Sequence, residues 1–117
     1  MMSEFVTYLN DVFERFGPIR ARRMFGGYGV YHQDLMFALV ANDVLYLKAD
    51  EKSFNFFESL GMNRFEYIKN GKTMSMSYYT APDEIFDDPD LAKIWALRAY
   101  DAALRSKKTI KKSGKKS

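Results

Sequence analysis

An α+β fold, an antiparallel sheet carrying helices, is what this 117-residue sequence predicts, and three observations predict it. Apolar residues recur at helical spacing near both ends of the chain, the middle alternates with a period of two, and tight polar pairs such as Asn70-Gly71 separate neighbouring strand segments. The expected order is a helix, three or four strands, a helix, two strands and a last helix. With 47% hydrophobic and 28% charged residues, one domain over residues 1–106 is expected, followed by a lysine-rich tail over residues 107–117.

Ser3 is placed to cap a first helix, in which Phe5, Leu9, Val12, Phe13 and Phe16 form one apolar stripe until Gly17-Pro18 ends it. Strands follow: one around Arg20 to Phe25, then glycine-rich residues leading into Val30-Tyr31. A turn at His32-Gln33-Asp34 precedes the apolar run Leu35 to Ala41, and Asn42-Asp43 separates that run from Val44 to Lys48. Residues 51–60 read as a second helix with Phe54 and Phe57 inward, Leu60 as a further candidate and Gly61 as its stop. Arg64 to Lys69 and Lys72 to Tyr79 flank Asn70-Gly71, a pair whose residues both tolerate positive φ and so mark a hairpin. Alternation sends Met74, Met76 and Tyr78 to one face and Ser75, Ser77 and Tyr79 to the other. Asp88-Pro89 is an N-cap followed by proline at the first helical position of a last helix, expected to reach about Arg105.

The formal charge of +3 is misleading about the body of the protein. Residues 107–117 contain six lysines and no acid; without them 12 basic residues face 15 acidic ones, a net charge of −3. The tail cannot bury apolar surface and is expected to be disordered, so the basic pI belongs to it alone. Its lysines, Lys107, Lys108, Lys111, Lys112, Lys115 and Lys116, are the candidate for sequence-tolerant nucleic-acid contact. The opening Met1-Met2-Ser3-Glu4 has no basic region leading into an apolar stretch, and the longest apolar run is too short to span a bilayer. A cytoplasmic protein without membrane contact is the expectation.

Reactive chemistry is thinly represented. There is no cysteine, which excludes disulfide frameworks, thiolate metal sites and thiol nucleophiles. His32 is the only histidine and reads as a turn residue, while the acids from Asp83 to Asp90 lack the spacing of a calcium loop and suit helix capping. No metal, cofactor or catalytic set is expected. Gly26, Gly27 and Gly29 lie beside Arg22 and Arg23; they are neither a Walker loop nor GxGxxG, and a bulge or close backbone packing is the expected use, with an anion cradle as the alternative. Arg20 and Arg22 project opposite to Arg23 in a regular strand, so at least one arginine is expected to pair with an acid near the core edge. The methionines and aromatics are in the main core, with a minority left to line an adaptable groove.

The stretch Arg22-Arg23-Met24-Phe25-Gly26-Gly27-Tyr28-Gly29-Val30-Tyr31, with Met36 to Val40, Leu45 to Asp50, and Met76 to Tyr79 followed by Pro82, resembles the N-terminal domain of the TfoX/Sxy family of bacterial competence regulators. The likeness runs from about Phe5 to Arg105. It implies a secretion-chaperone-like α+β fold and no catalytic residues. Full-length regulators of that family carry a second, helical domain and act with the catabolite activator protein at competence promoters; this chain has a lysine tail there and so resembles the stand-alone members. The reading is a non-enzymatic regulatory or adaptor module, monomer or homodimer, that contacts a protein partner such as a transcription regulator. Its candidate surface is Arg20, Arg22, Arg23, Lys48 and an exposed Tyr79. The alternative is weak nucleic-acid binding through the tail.

Overall fold

The computed structural model describes the backbone of residues 3–24 and 26–116, with side chains through Lys107. Helix α1 spans Glu4–Val12, with the Ser3 hydroxyl accepting the Val6 N–H at 3.1 Å as the first turn requires. Four strands follow, β1 (Arg20–Met24), β2 (Gly27–His32), β3 (Leu35–Ala41) and β4 (Val44–Lys48); then come α2 (Phe54–Glu58), β5 (Arg64–Lys69), β6 (Lys72–Thr80), a 3₁₀ turn at Asp83–Phe86 and α3 (Pro89–Lys116). The α+β reading holds. Asp88 caps α3, its carboxylate accepting the Asp90 and Leu91 N–H groups at 2.9 and 3.2 Å.

The strands form an antiparallel sheet, ordered β1-β2-β3-β4-β6-β5 among the described residues. Each hairpin turn has the chemistry that its sequence announced. Gln33-Asp34, Asn42-Asp43 and Asn70-Gly71 all have positive φ at both central positions, the twist that matches flanking strands in a two-residue loop. At the β1–β2 turn Gly26 has φ +79°, where a side chain would be strained.

Helices cover one face of the sheet. Val6, Leu9, Val12 and Phe13 of α1 and Ala92, Trp95, Ala96, Ala99 and Ala103 of α3 pack against Val30, Ala38, Val40, Leu45 and Leu47. The alanines let α3 lie close on β3 and β4, and each buried large side chain adds about 1.5–3 kcal/mol before entropy is counted. Phe37 joins this core through an irregularity: Val30 opposes Ala38 while Tyr31 opposes Met36, so Phe37 is the extra residue of a β-bulge. The bulge lets Phe37 and its neighbour Ala38 both serve the helix side. Its ring lies 5.7 Å from Phe13 and 5.1 Å from Phe16, centroid to centroid.

Two expectations about element ends change. Leu60 is exposed, because α2 is a short helix whose turn closes before that residue can swing inward. The last helix continues past Arg105 as α3, in which Arg105 is tied back to the sheet. Its Nε–H and Nη2–H donate to the two oxygens of Asp50 at 2.5 and 2.9 Å, a bidentate pair at the entry to α2. Asp50 Oδ1 also accepts the Lys52 N–H at 3.1 Å, and Ser53 Oγ accepts the Asp50 N–H at 2.9 Å. The hydrogen bond from Arg105, aided by those from Lys52 and Ser53, holds the Asp50 carboxyl below the ordinary aspartate range, against the opposing effect of burial. A depressed folded-state value means that this stabilisation is complete above the unfolded value near 4 and fades as pH falls through the folded one. Asp50→Asn is therefore expected to cost about 1–2 kcal/mol at pH 7, with the gap from wild type closing below about pH 4; urea unfolding across that range measures it.

Candidate interaction face

The second face of the sheet carries no helix among the described residues, yet it is rich in methionine and aromatic side chains. Strand alternation places Met24, Tyr31, Met36, Leu39, Tyr46, Met74, Met76 and Tyr78 there. Gly29 lies in their midst: a Cβ on it would come within 2.8 Å of the Met24 sulfur and 3.1 Å of the Met36 sulfur. Its missing side chain lets the two thioethers lie across β2. Gly27 serves the backbone instead, because a Cβ there would press into the Val40 carbonyl oxygen. Close packing is thus the use of these glycines, as their strand-rich setting suggested.

One end of this open face is a band of cations and tyrosines. Arg22 lies over the Tyr31 ring at 5.9 Å, and the Lys48 ammonium lies 5.1 Å from the Tyr78 ring while donating to Ser77 Oγ at 2.9 Å. Burial, and secondarily the charge of Tyr31, push the Tyr78 phenol up to about 12, so Tyr78 remains a neutral partner for Lys48. Burial holds the Lys48 ammonium below the ordinary lysine range, with Asp50 opposing that shift. Arg20 continues the face along β1 and pairs with Asp34 at 3.6 Å. That pair is largely solvated and not at the core edge, so it adds little.

The other end is a cleft. Between Arg64↔Tyr79 and Glu66↔Ser75 the β5–β6 register shifts, with only Phe65 opposite Met76, Ser77 and Tyr78. β4 pairs with β6 only at Tyr78 to Thr80. The distal half of the hairpin is thereby released from the plane of β4 and bounds a cleft of roughly 610 Å³ with the sheet. Met24, Leu39, Phe65, Tyr67, Lys69 and Met76 contribute to its walls. Tyr46 and Phe65 meet edge to face at 4.8 Å, joining β4 to the hairpin at the cleft.

Of the five residues expected to make one surface, the structure brings Arg20, Arg22 and Lys48 to the open face and sends Arg23 to the opposite side of β1, across from Tyr28. Tyr79 is corrected outright. It is 3% exposed, stacked 5.2 Å from Phe57, and its hydroxyl donates to Glu58 Oε2 at 2.6 Å. The reason is register: Tyr79 opposes Leu47, a core position under the helices, and the carboxylate of α2 satisfies its hydroxyl there. Burial and Glu58 both push the Tyr79 phenol up. His32 is a packing residue at the end of β2, its ring 4.5 Å from Phe16 and its Nδ1 2.7 Å from the Pro18 carbonyl, which assigns the proton to Nδ1. Lys107 lies on α3; Lys108, Lys111, Lys112, Lys115 and Lys116 fall outside the residues whose side chains are described. Among the described residues no group of three His, Asp or Glu side chains could hold a metal, and no helix is long and apolar enough to cross a membrane.

The family model for the TfoX N-terminal domain matches residues 11–103. The chain belongs to the TfoX N-terminal domain family. As a TfoX N-terminal domain it is 28% identical over 100 residues to DNA transformation protein TfoX1 of Aliivibrio fischeri, covering 86% of this chain and 47% of that protein. It is 32% identical over 95 residues to Protein Sxy of Escherichia coli K12, covering 80% of this chain and 44% of that protein. This TfoX domain thus spans less than half the length of either relative. The match contains the whole sheet and with it the open face, including Arg20, Arg22 and Lys48. Sequence reading missed the partners that complete this face, Tyr31 and Tyr78. The visible signal was the alternation that sends Met74, Met76 and Tyr78 to one face, in a set of methionines and aromatics expected to be mainly core with a minority lining a groove.

Proposed function

We propose that this chain is a non-enzymatic regulatory or adaptor module of DNA transformation, acting in the cytoplasm by holding another protein against the open face of its sheet. The observation that carries the reading is the band of Arg22, Tyr31 and Lys48, uncovered by helix among the described residues, with Lys48 seated over the buried Tyr78 ring. Arginine and tyrosine are the side chains that most often anchor protein contacts, since each presents broad area with a polar or charged end at small entropic cost. The names of the relatives supply the process, and their greater length makes it a proposal for this shorter chain.

The test is affinity capture from the source bacterium with wild type, an Arg20→Glu/Arg22→Glu double variant and a variant lacking residues 107–117. The double variant is expected to lose the proteins that wild type retains while melting at the same temperature, because both arginines are exposed. Retention of every partner by the double variant would remove this face from the reading. The competing reading, nucleic-acid contact, draws on the six lysines of the tail. It requires DNA binding that weakens steeply with salt and vanishes in the truncated form, whereas protein contact through the sheet survives truncation.

A further inference from the structure

The tip of the β5–β6 hairpin sets two ammonium groups opposite each other. Lys69 and Lys72 are direct cross-strand partners around Asn70-Gly71, and alternation puts both on the face shared by Tyr67, Met74 and Met76. Like charges placed this way repel. Neither lysine has an ion-pair or hydrogen-bond partner among the described residues. An anion at the tip converts the repulsion into attraction. Beside it lies the cleft of roughly 610 Å³, in which Lys69 is the charged wall residue among Met24, Leu39, Phe65, Tyr67 and Met76.

That volume falls within the range of about 300–1,000 Å³ typical of small-molecule sites, and an apolar lining with few polar groups is their usual construction. Methionine thioethers are unbranched and polarisable, so they fit themselves to a flexible chain. Four of the seven methionines, Met24, Met36, Met74 and Met76, lie on this face. Its charge also selects the sign of a ligand. Lys69 is the charged side chain in its wall and Lys72 faces it across the hairpin tip, while Glu66, the acid of β5, alternates to the opposite face of that strand.

We propose that this cleft is a binding site for a single-chain aliphatic carboxylate, its tail among Met24, Leu39, Phe65 and Met76 and its head on Lys69 and Lys72. The site lies at the opposite end of the open face from the arginine-tyrosine band and does not depend on what that band contacts.

Calorimetric titration of the full chain with dodecanoate, kept below its micelle concentration, is the test. Binding of one molecule per chain with micromolar Kd is expected, at least tenfold weaker for dodecanol and absent for dodecyltrimethylammonium. Lys69→Glu/Lys72→Glu, at an exposed turn, is expected to weaken dodecanoate at least tenfold while leaving dodecanol unchanged, and Met76→Gln to weaken both. Methionine methyl NMR gives a readout independent of affinity: Met24 and Met76 shift on titration and Met62, outside the cleft, does not. Equal binding of acid and alcohol, indifference to the lysine reversal, or association only with phosphatidylglycerol vesicles would overturn the proposal.

Discussion

Gly27→Ala is expected to cost about 3 kcal/mol or more and to leave little folded protein, the largest single effect of any small substitution in the sheet. The added methyl meets the Val40 carbonyl oxygen, which is backbone and cannot rotate away as a side chain would. β2 and β3 must separate to admit it, and with them the register that places Val30 and Ala38 under α3. Gly26→Ala is the control next door. Nothing lies within 4 Å of its added methyl, and its penalty of roughly 1–2 kcal/mol comes only from φ +79°. Urea unfolding of the two variants separates them; equal costs would show that the close approach of β2 and β3 is not what Gly27 serves.

Phe37→Ala carries the second large effect, about 3–5 kcal/mol from lost burial and the cavity left behind. The ring is 0% exposed and held between Phe13 and Phe16, which anchor the end of α1. Since Phe37 reaches the core only through the bulge, deleting the residue is expected to differ from truncating it. Deletion restores regular pairing between β2 and β3 and removes the ring together with the kink; truncation keeps the kink around an empty space. Thermal unfolding followed by near-UV circular dichroism reads the α1 end directly, and a loss in Phe37→Ala below about 1 kcal/mol would mean that Phe13 and Phe16 close the gap by themselves.

What was legible in the sequence is what local chemistry decides. Ser3 and Asp88 cap their helices because a side-chain oxygen within three residues is enough to satisfy a free N–H. Asn42-Asp43 and Asn70-Gly71 turn their hairpins because those residues accept positive φ. The faces of the sheet were harder, since both are apolar: Leu47 and Tyr79 lie under helices, while Leu39 and Tyr78 are buried on the side without any. Alternation put Tyr79 on a face with Ser75 and Ser77, so it looked like a surface residue, and the partner that satisfies its hydroxyl, Glu58, is 21 positions away. The cleft was out of reach for a related reason. It exists because register slips between Arg64 and Glu66, and slips are settled by packing between segments distant in sequence, not by the identity of Phe65 alone.

The strand order has one further consequence. A sheet that ends at β1 on one side and β5 on the other exposes two rows of backbone donors and acceptors to any passing chain. At the first border Arg20, Arg22 and Arg23 place charge on both sides of the strand, and at the second Arg64, Glu66 and Lys69 recur along it. Such borders discourage templated strand addition and fibre growth. Contact with another molecule is thereby steered to the broad surface between them, where half-buried methionine and aromatic side chains lie between two charged borders.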